Sequence, residues 1–187
     1  MLIAQQKRRE NIAEYLLYMW QVEDLLRACQ FDDARIDQLL VARFVAMDGV
    51  TEAQLADVRR WYRELRDMML TEGRRDGGHL QINQNILIDL TDLHQRLLRH
   101  GQDAIYTSAY YATLPYIVEL RAKADPPQGE LETCFSALYG LMTLRLEGRD
   151  VTDATRGAMQ QIAKFIAQLA EKYRLWKTGQ LKLDEDR

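Results

Sequence analysis

The stretch ENIAEYLLYMWQVEDLLRA, residues 10–28, sets the architecture of the chain. Plotted at about 100° per residue, Ile12, Leu16, Met19 and Leu26 share one side, while Glu10, Glu14 and Gln21 lie roughly opposite. The pattern predicts one long amphipathic helix over 10–28, whose apolar stripe other helices must cover. Glu23 breaks the pattern, because it falls inside the apolar stripe. A carboxylate placed there must find partners or give up its charge, since an unpaired buried charge costs several kcal/mol.

Working outward, breakers divide the remaining chain into further helices. They are Phe31-Asp32-Asp33, Asp48-Gly49, Gly73 to Gly78, Gly101, Pro126-Pro127-Gln128-Gly129, Gly148-Arg149-Asp150 and Gly179. Glycine just past a helix and Ser, Thr or Asp just before one are the expected stop and start signals, and Thr51 and Thr152 read as N-caps. No segment alternates apolar and polar residues over a strand's length, so no sheet is expected. The short connections predict an all-α single-domain bundle of about seven helices, mostly antiparallel up-and-down. The domain is expected over residues 1–179, with a frayed charged tail at 180–187.

Individual faces support this layout. Met159, Ile162, Phe165, Ile166, Leu169, Tyr173 and Trp176 share one side of the last helix. Leu55, Val58, Trp61, Tyr62, Leu65 and Met69 do the same after Thr51. The segment DAIYTSAYYATLPYIVELRA is apolar nearly all round, which predicts a central helix, kinked at Pro115. Thr133, Ser136, Ala137 and Gly140 form a small-residue face suited to close helix packing or to a homodimer seam.

Composition bounds the function. The formal net charge of −3 lacks the basic footprint of a nucleic-acid-binding domain. Cys29 and Cys134 are too few for a disulfide framework and read as buried free thiols, as suits a reducing cytosol. Glu14 and Gln21 interrupt the apolar start, so no signal peptide is expected, and no apolar run is long enough for a membrane span. The protein is expected in the cytoplasm.

Other ionisable groups share the misplacement of Glu23 on helical wheels. Arg43 lies between Ile36 and Leu39, His94 among Leu87, Leu90 and Leu98, and Arg145 among Cys134, Leu138 and Leu141. Tyr110 belongs to a set of inward phenols. Glu23, Arg43, His94, Arg145 and Tyr110 are therefore the candidate ligand-binding residues, as a polar pocket among helices for a small polar or anionic ligand. No catalytic residue, metal ligand set or cofactor fingerprint is assigned: Glu-x-x-His is absent, and Asp89 and His94 point apart on one helix. Arg74 and His79 have a spacing that some helical ribonucleases use, but glycines make RRDGGH a loop. The arginines of residues 59–75 are matched by acidic residues, with spacings such as Arg60–Glu64 and Arg63–Asp67 suited to pairs along the helix.

Taken together, IAQQKRRENIAEYLLYMWQVEDLLRA and QINQNILIDLTDLHQRLL resemble an uncharacterised bacterial family, best known from Bacteroidetes and described only as a domain of unknown function. The resemblance implies a cytoplasmic helical protein and carries no functional residue. Two readings of function follow. The first is a non-enzymatic protein acting through protein contacts, with itself as a homodimer or with another protein; Leu17 and Trp20 lie off the main stripe as spare apolar surface, and either pack a second neighbour or are exposed for that partner. The second is a small-ligand pocket at Glu23, His94 and Arg145.

Overall fold

A computed structural model describes residues 2–45 and 49–183, and among these all regular structure is helical. The helices are α1 (Leu2–Glu10), α2 (Ile12–Ala28), α3 (Asp33–Ile36), a π-helical turn (Asp37–Val41), α4 (Ala42–Val45), α5 (Glu52–Thr71), α6 (Gln81–His100), α7 (Ala104–Arg121), α8 (Glu130–Leu146) and α9 (Asp153–Lys177). Asp48 of the Asp48-Gly49 breaker and residues 184–187 of the charged tail lie outside the described residues. The chain groups into two compact units, residues 1–8 with 14–85 and residues 9–13 with 86–187.

The opening stretch is helical except at Asn11. Asn11 separates α1 from α2, and its side-chain oxygen accepts the Ala13 N–H at 3.0 Å. Asparagine competes with the helix for backbone hydrogen bonds in this way, which makes it a natural start signal.

In the first unit, α2 buries Met19, Trp20, Val22, Glu23 and Leu26. Of the two residues off the main stripe, Trp20 is buried, so it packs a neighbour and is not open to a partner, and Leu17 is half-buried. From α5, Leu55, Val58, Tyr62, Leu65 and Met69 are buried as the stripe predicts, while Trp61 is half-buried with Tyr18 stacked 6.5 Å from it. Thr51 starts α5 through a reciprocal cap: its hydroxyl accepts the Gln54 N–H, and the Gln54 side chain accepts the Thr51 N–H at 2.8 Å. The arginines of α5 reach sideways as well as along their own helix. Arg59 and Arg63 pair with Asp37, and Arg63 and Arg66 with Asp33. The expected Arg60–Glu64 pairing is replaced by Arg60–Asp57 at 3.2 Å.

In the second unit, α7, α8 and α9 pack against one another. Met159, Ile162, Phe165, Ile166 and Leu169 of α9 are buried, and Tyr173 and Trp176 are half-buried near its end. Thr152 caps α9 through the Thr155 N–H. The α7 helix buries Tyr106, Tyr110, Thr113 and Ile117, an i, i+4, i+7, i+11 stripe. Its other side is open, with Ile105, Tyr111 and Val118 exposed, so it has a wet face that its composition hides. Helix α7 runs through Pro115, which lies on that open side. On α8, Thr133 is buried but a Cβ at Gly140 would meet nothing within 4 Å, so no backbone approaches closely there. Cys29 and Cys134 are buried free thiols, and burial pushes Cys134 up to about 12. No helix among the described residues is long and apolar enough to cross a membrane.

Candidate functional site

Glu23 is buried, and the structure answers what it does there. One carboxylate oxygen accepts the backbone N–H of Leu80 at 3.0 Å and the side-chain amide of Asn83 at 2.6 Å. The other lies 2.6 Å from His79 Nδ1, which donates, since an ionised carboxylate can only accept. Leu80 immediately precedes α6. Glu23 therefore makes the bond that a capping-box glutamate makes, but delivers it from another helix. Glu72 adds a second carboxylate by accepting the Gln81 N–H at 2.7 Å. Both negative charges sit where the α6 dipole favours them.

One turn further along α2, Arg27 holds the preceding loop. Its guanidinium donates to the carbonyls of Arg74 and Gly78 and to the Asp24 carboxylate. The indole of Trp20 stacks on the His79 ring, with centroids 4.0 Å apart and planes 9° from parallel. The α2 residues Trp20, Glu23 and Arg27 thus hold the loop before α6 by stacking, capping and carbonyl contacts.

The second unit contains a cavity of about 630 Å³ among α6, α7 and α8, lined by His94, Tyr110, Arg121 and Glu130 together with Leu87 and Asp92. The Asp103 carboxylate starts α7 by accepting the Tyr106 N–H at 2.9 Å, and Lys172 pairs with it, which lowers the Asp103 carboxyl below its usual range. Tyr106 and Tyr110 then follow one turn apart on the buried side. The Tyr106 hydroxyl is 2.7 Å from His94 Nδ1. Burial raises Tyr106, so the phenol keeps its proton and donates it, which leaves the imidazole proton on Nε2. That nitrogen is 4.0 Å from Glu130. Glu130 accepts from the Tyr110 hydroxyl at 3.0 Å and lies 3.6 Å from Arg121, whose Nε donates to the Gln128 carbonyl. Burial and the Glu130 hydrogen bond push Tyr110 up to about 12. The His94 ring meets Tyr106, Tyr110 and Phe165 edge-on, which fixes its plane.

The five residues singled out from the sequence therefore separate. His94 and Tyr110 share the cavity, with ring centroids 4.8 Å apart. Glu23 belongs to the first unit and caps α6. Arg43 is exposed, because the π turn at Asp37–Val41 carries an extra residue and rotates everything after it off a regular wheel. Arg145 is exposed too; the fully buried residues of α8 are confined to Leu131, Thr133, Cys134 and Phe135, near its start. Glu130 and Arg121 carry no sequence pattern, and His79 stands out only through its spacing to Arg74 in RRDGGH. Glu130 and Arg121 read as ordinary helix-terminal charges, and His79 as a loop residue. Among the described residues no group of three or more His, Cys, Asp or Glu side chains is placed to hold a metal ion.

Residues 1–180 match a family described as a domain of unknown function, DUF4924. The chain belongs to the DUF4924 family. Among curated proteins and solved structures, none matches. What can be said of chemistry in this DUF4924 chain thus rests on its own two histidine clusters.

Each cluster yields a measurable consequence. Glu23→Leu leaves three donors without an acceptor and should destabilise the protein by roughly 3–5 kcal/mol. Glu23→Gln keeps an acceptor and should cost roughly 1–3 kcal/mol. Urea unfolding of both variants checks this; a Leu variant as stable as the parent removes the capping role. The second consequence concerns pH. Burial lowers His94 below its ordinary 6.5, with Glu130 partly opposing. The unfolded chain takes up a proton near that pH which the folded chain refuses. Stability present above pH ~6.5 is therefore lost as the pH falls toward the lower folded value. His94→Gln should flatten that part of the profile between pH ~7.5 and pH ~5.5 in urea melts.

Proposed function

We propose that this chain is a binding protein for a small polar ligand, held in the cavity of the second unit. The observation that carries the reading is the His94–Glu130 pair. Nε2 of a neutral, buried imidazole faces a carboxylate at 4.0 Å, too far for a direct hydrogen bond. A hydroxyl or amine between them would accept from His94 and donate to Glu130. Arg121, partly engaged by Glu130 and Gln128, offers cationic donors at the rim, and Leu87, Ile88 and Leu131 supply apolar wall. Pockets for small molecules combine an apolar lining with a few fixed polar groups in this way. The site replaces the grouping of Glu23, His94 and Arg145 that the helical wheels suggest. On this reading the helices of the second unit run mostly antiparallel to their neighbours, with a bend at Pro115, in a bacterial cytoplasmic protein.

A thermal-shift screen against polar metabolites tests the proposal. A ligand at one hundred times its dissociation constant should add about 2.7 kcal/mol of stability to the parent. Glu130→Gln should lose most of that gain while folding normally, because Glu130 is only half-buried. Compounds that stabilise the variant as well as the parent would show that this cavity is not the site.

The second reading is a non-enzymatic role through protein contacts, with a second copy of the chain as the first partner to test. It is favoured by the apolar side chains on the open face of α7, where Ile105, Tyr111 and Val118 are 76%, 61% and 56% exposed. Sedimentation velocity over a concentration series should show association that Tyr111→Ser with Val118→Ser abolishes. A monomer at every concentration removes the homodimer.

A further inference from the structure

We propose, resting on the small-ligand reading of the second unit's cavity, that its ligand is an amino alcohol: a short carbon chain with a hydroxyl at one end and a protonated amine at the other. The inner end is fixed by His94. Its side chain is 5% exposed, and its Nδ1 is taken by Tyr106. Its Nε2 has no hydrogen-bond partner, yet is not sealed from the cavity that the ring lines. That nitrogen carries the imidazole proton. The group between it and Glu130 must therefore accept one hydrogen bond and donate another. An alkyl amine is protonated at neutral pH and has no lone pair left to accept with. A hydroxyl does both, so the inner group is a hydroxyl.

The outer end is set by charge. Arg121 from α7, Asp92 from α6, and Glu130 and Glu132 from α8 line the cavity. The guanidinium does not offset all three carboxylates: it lies 3.6 Å from Glu130, and its Nε is spent on the Gln128 carbonyl. Glu130 and Glu132 have a structural reason for their place. The first turn of α8 favours negative charge, and Glu132 accepts the Gly129 N–H at 3.4 Å. Asp92 has no such reason. It lies in the middle of α6, and it has no hydrogen-bond or ion-pair partner among the described residues. A carboxylate of that kind on a cavity wall attracts a cation and repels an anion. At about 100° per residue, Asp92 and His94 lie roughly 160° apart around α6. They bound the cavity from opposite flanks, with Ile88, Thr91 and Gln95 between them on the lining face. The hydroxyl and the ammonium are therefore joined by several carbons and not by two, and Ile88 and Leu131 give that chain apolar wall.

The test uses the full chain and four probes on one five-carbon skeleton: 5-amino-1-pentanol, 1,5-pentanediol, 5-hydroxypentanoate and pentylamine. Affinities are read by NMR from the His94 ring signals, assigned by their absence in His94→Gln. The amino alcohol should bind about fivefold more tightly than the diol, and the hydroxy acid more weakly than either. Pentylamine has nothing to accept from Nε2 and should also bind about fivefold more weakly than the amino alcohol. Asp92→Asn should bring the amino alcohol down to the diol and leave the diol unchanged, and about 0.5 M NaCl should do the same by screening. Asp92 is exposed, so this variant should fold as the parent does, which melting curves check. Glu130→Gln should weaken the three hydroxyl-bearing probes alike. A diol that binds as tightly as the amino alcohol, or an Asp92→Asn variant that keeps the preference, overturns the amino-alcohol assignment and leaves the cavity reading standing. A Glu130→Gln variant that binds every probe as the parent does overturns both. Absence of saturable binding of the amino alcohol up to ~10 mM overturns the assignment alone, because the wider metabolite screen decides the cavity.

Discussion

A single buried carboxylate at the start of α6 governs the order of the first unit. The first N–H groups of any helix have no partner within it, and a start that is buried needs acceptors from elsewhere. Glu23 provides one for Leu80, and does so with its charge at the favourable end of the dipole. Moving a carboxylate out of water costs several kcal/mol, and a lone hydrogen bond would not offset that. Three donors converge on this one, from a backbone amide, a side-chain amide and an imidazole. The arrangement holds as a set, because the Leu80 N–H and the Asn83 amide would be buried unsatisfied donors without the shared acceptor.

Much of the helical order is legible in the residues, and the reason is periodicity. The stripes of α5 and α9 repeat long enough that Leu55 to Met69 and Met159 to Leu169 could face only one way. Thr51 and Thr152 announce helix starts through local chemistry, and both make the expected bonds. Wheels fail where their assumption of a regular helix fails. Arg43 follows a π turn, and Asn11 takes a backbone N–H for its own side chain. The inward position of Glu23 was readable from α2 alone, but its partners were not. His79, Leu80 and Asn83 lie 56 to 60 residues away, and no local spacing connects them. The same holds for Glu130, which meets His94 only because α8 begins beside α6 and α7.

The two histidine clusters show how one side chain is given two chemistries. In each, Nδ1 is occupied and Nε2 is left over, so the difference lies in what Nδ1 meets. At His94 it meets a phenol that burial keeps protonated, and the ring sits among three aromatic neighbours. Desolvation there disfavours the cation, so His94 presents a neutral N–H to its cavity. At His79 it meets a carboxylate, which can only accept, and the ring is partly open to solvent. That ring is held between Glu23 and the Trp20 indole, so its work is to fix the loop before α6. A neutral donor opposite Glu130 suits a hydroxyl or amine, as proposed for the cavity of the second unit. The role of each ring is thus set by the partner of its Nδ1, carboxylate or phenol.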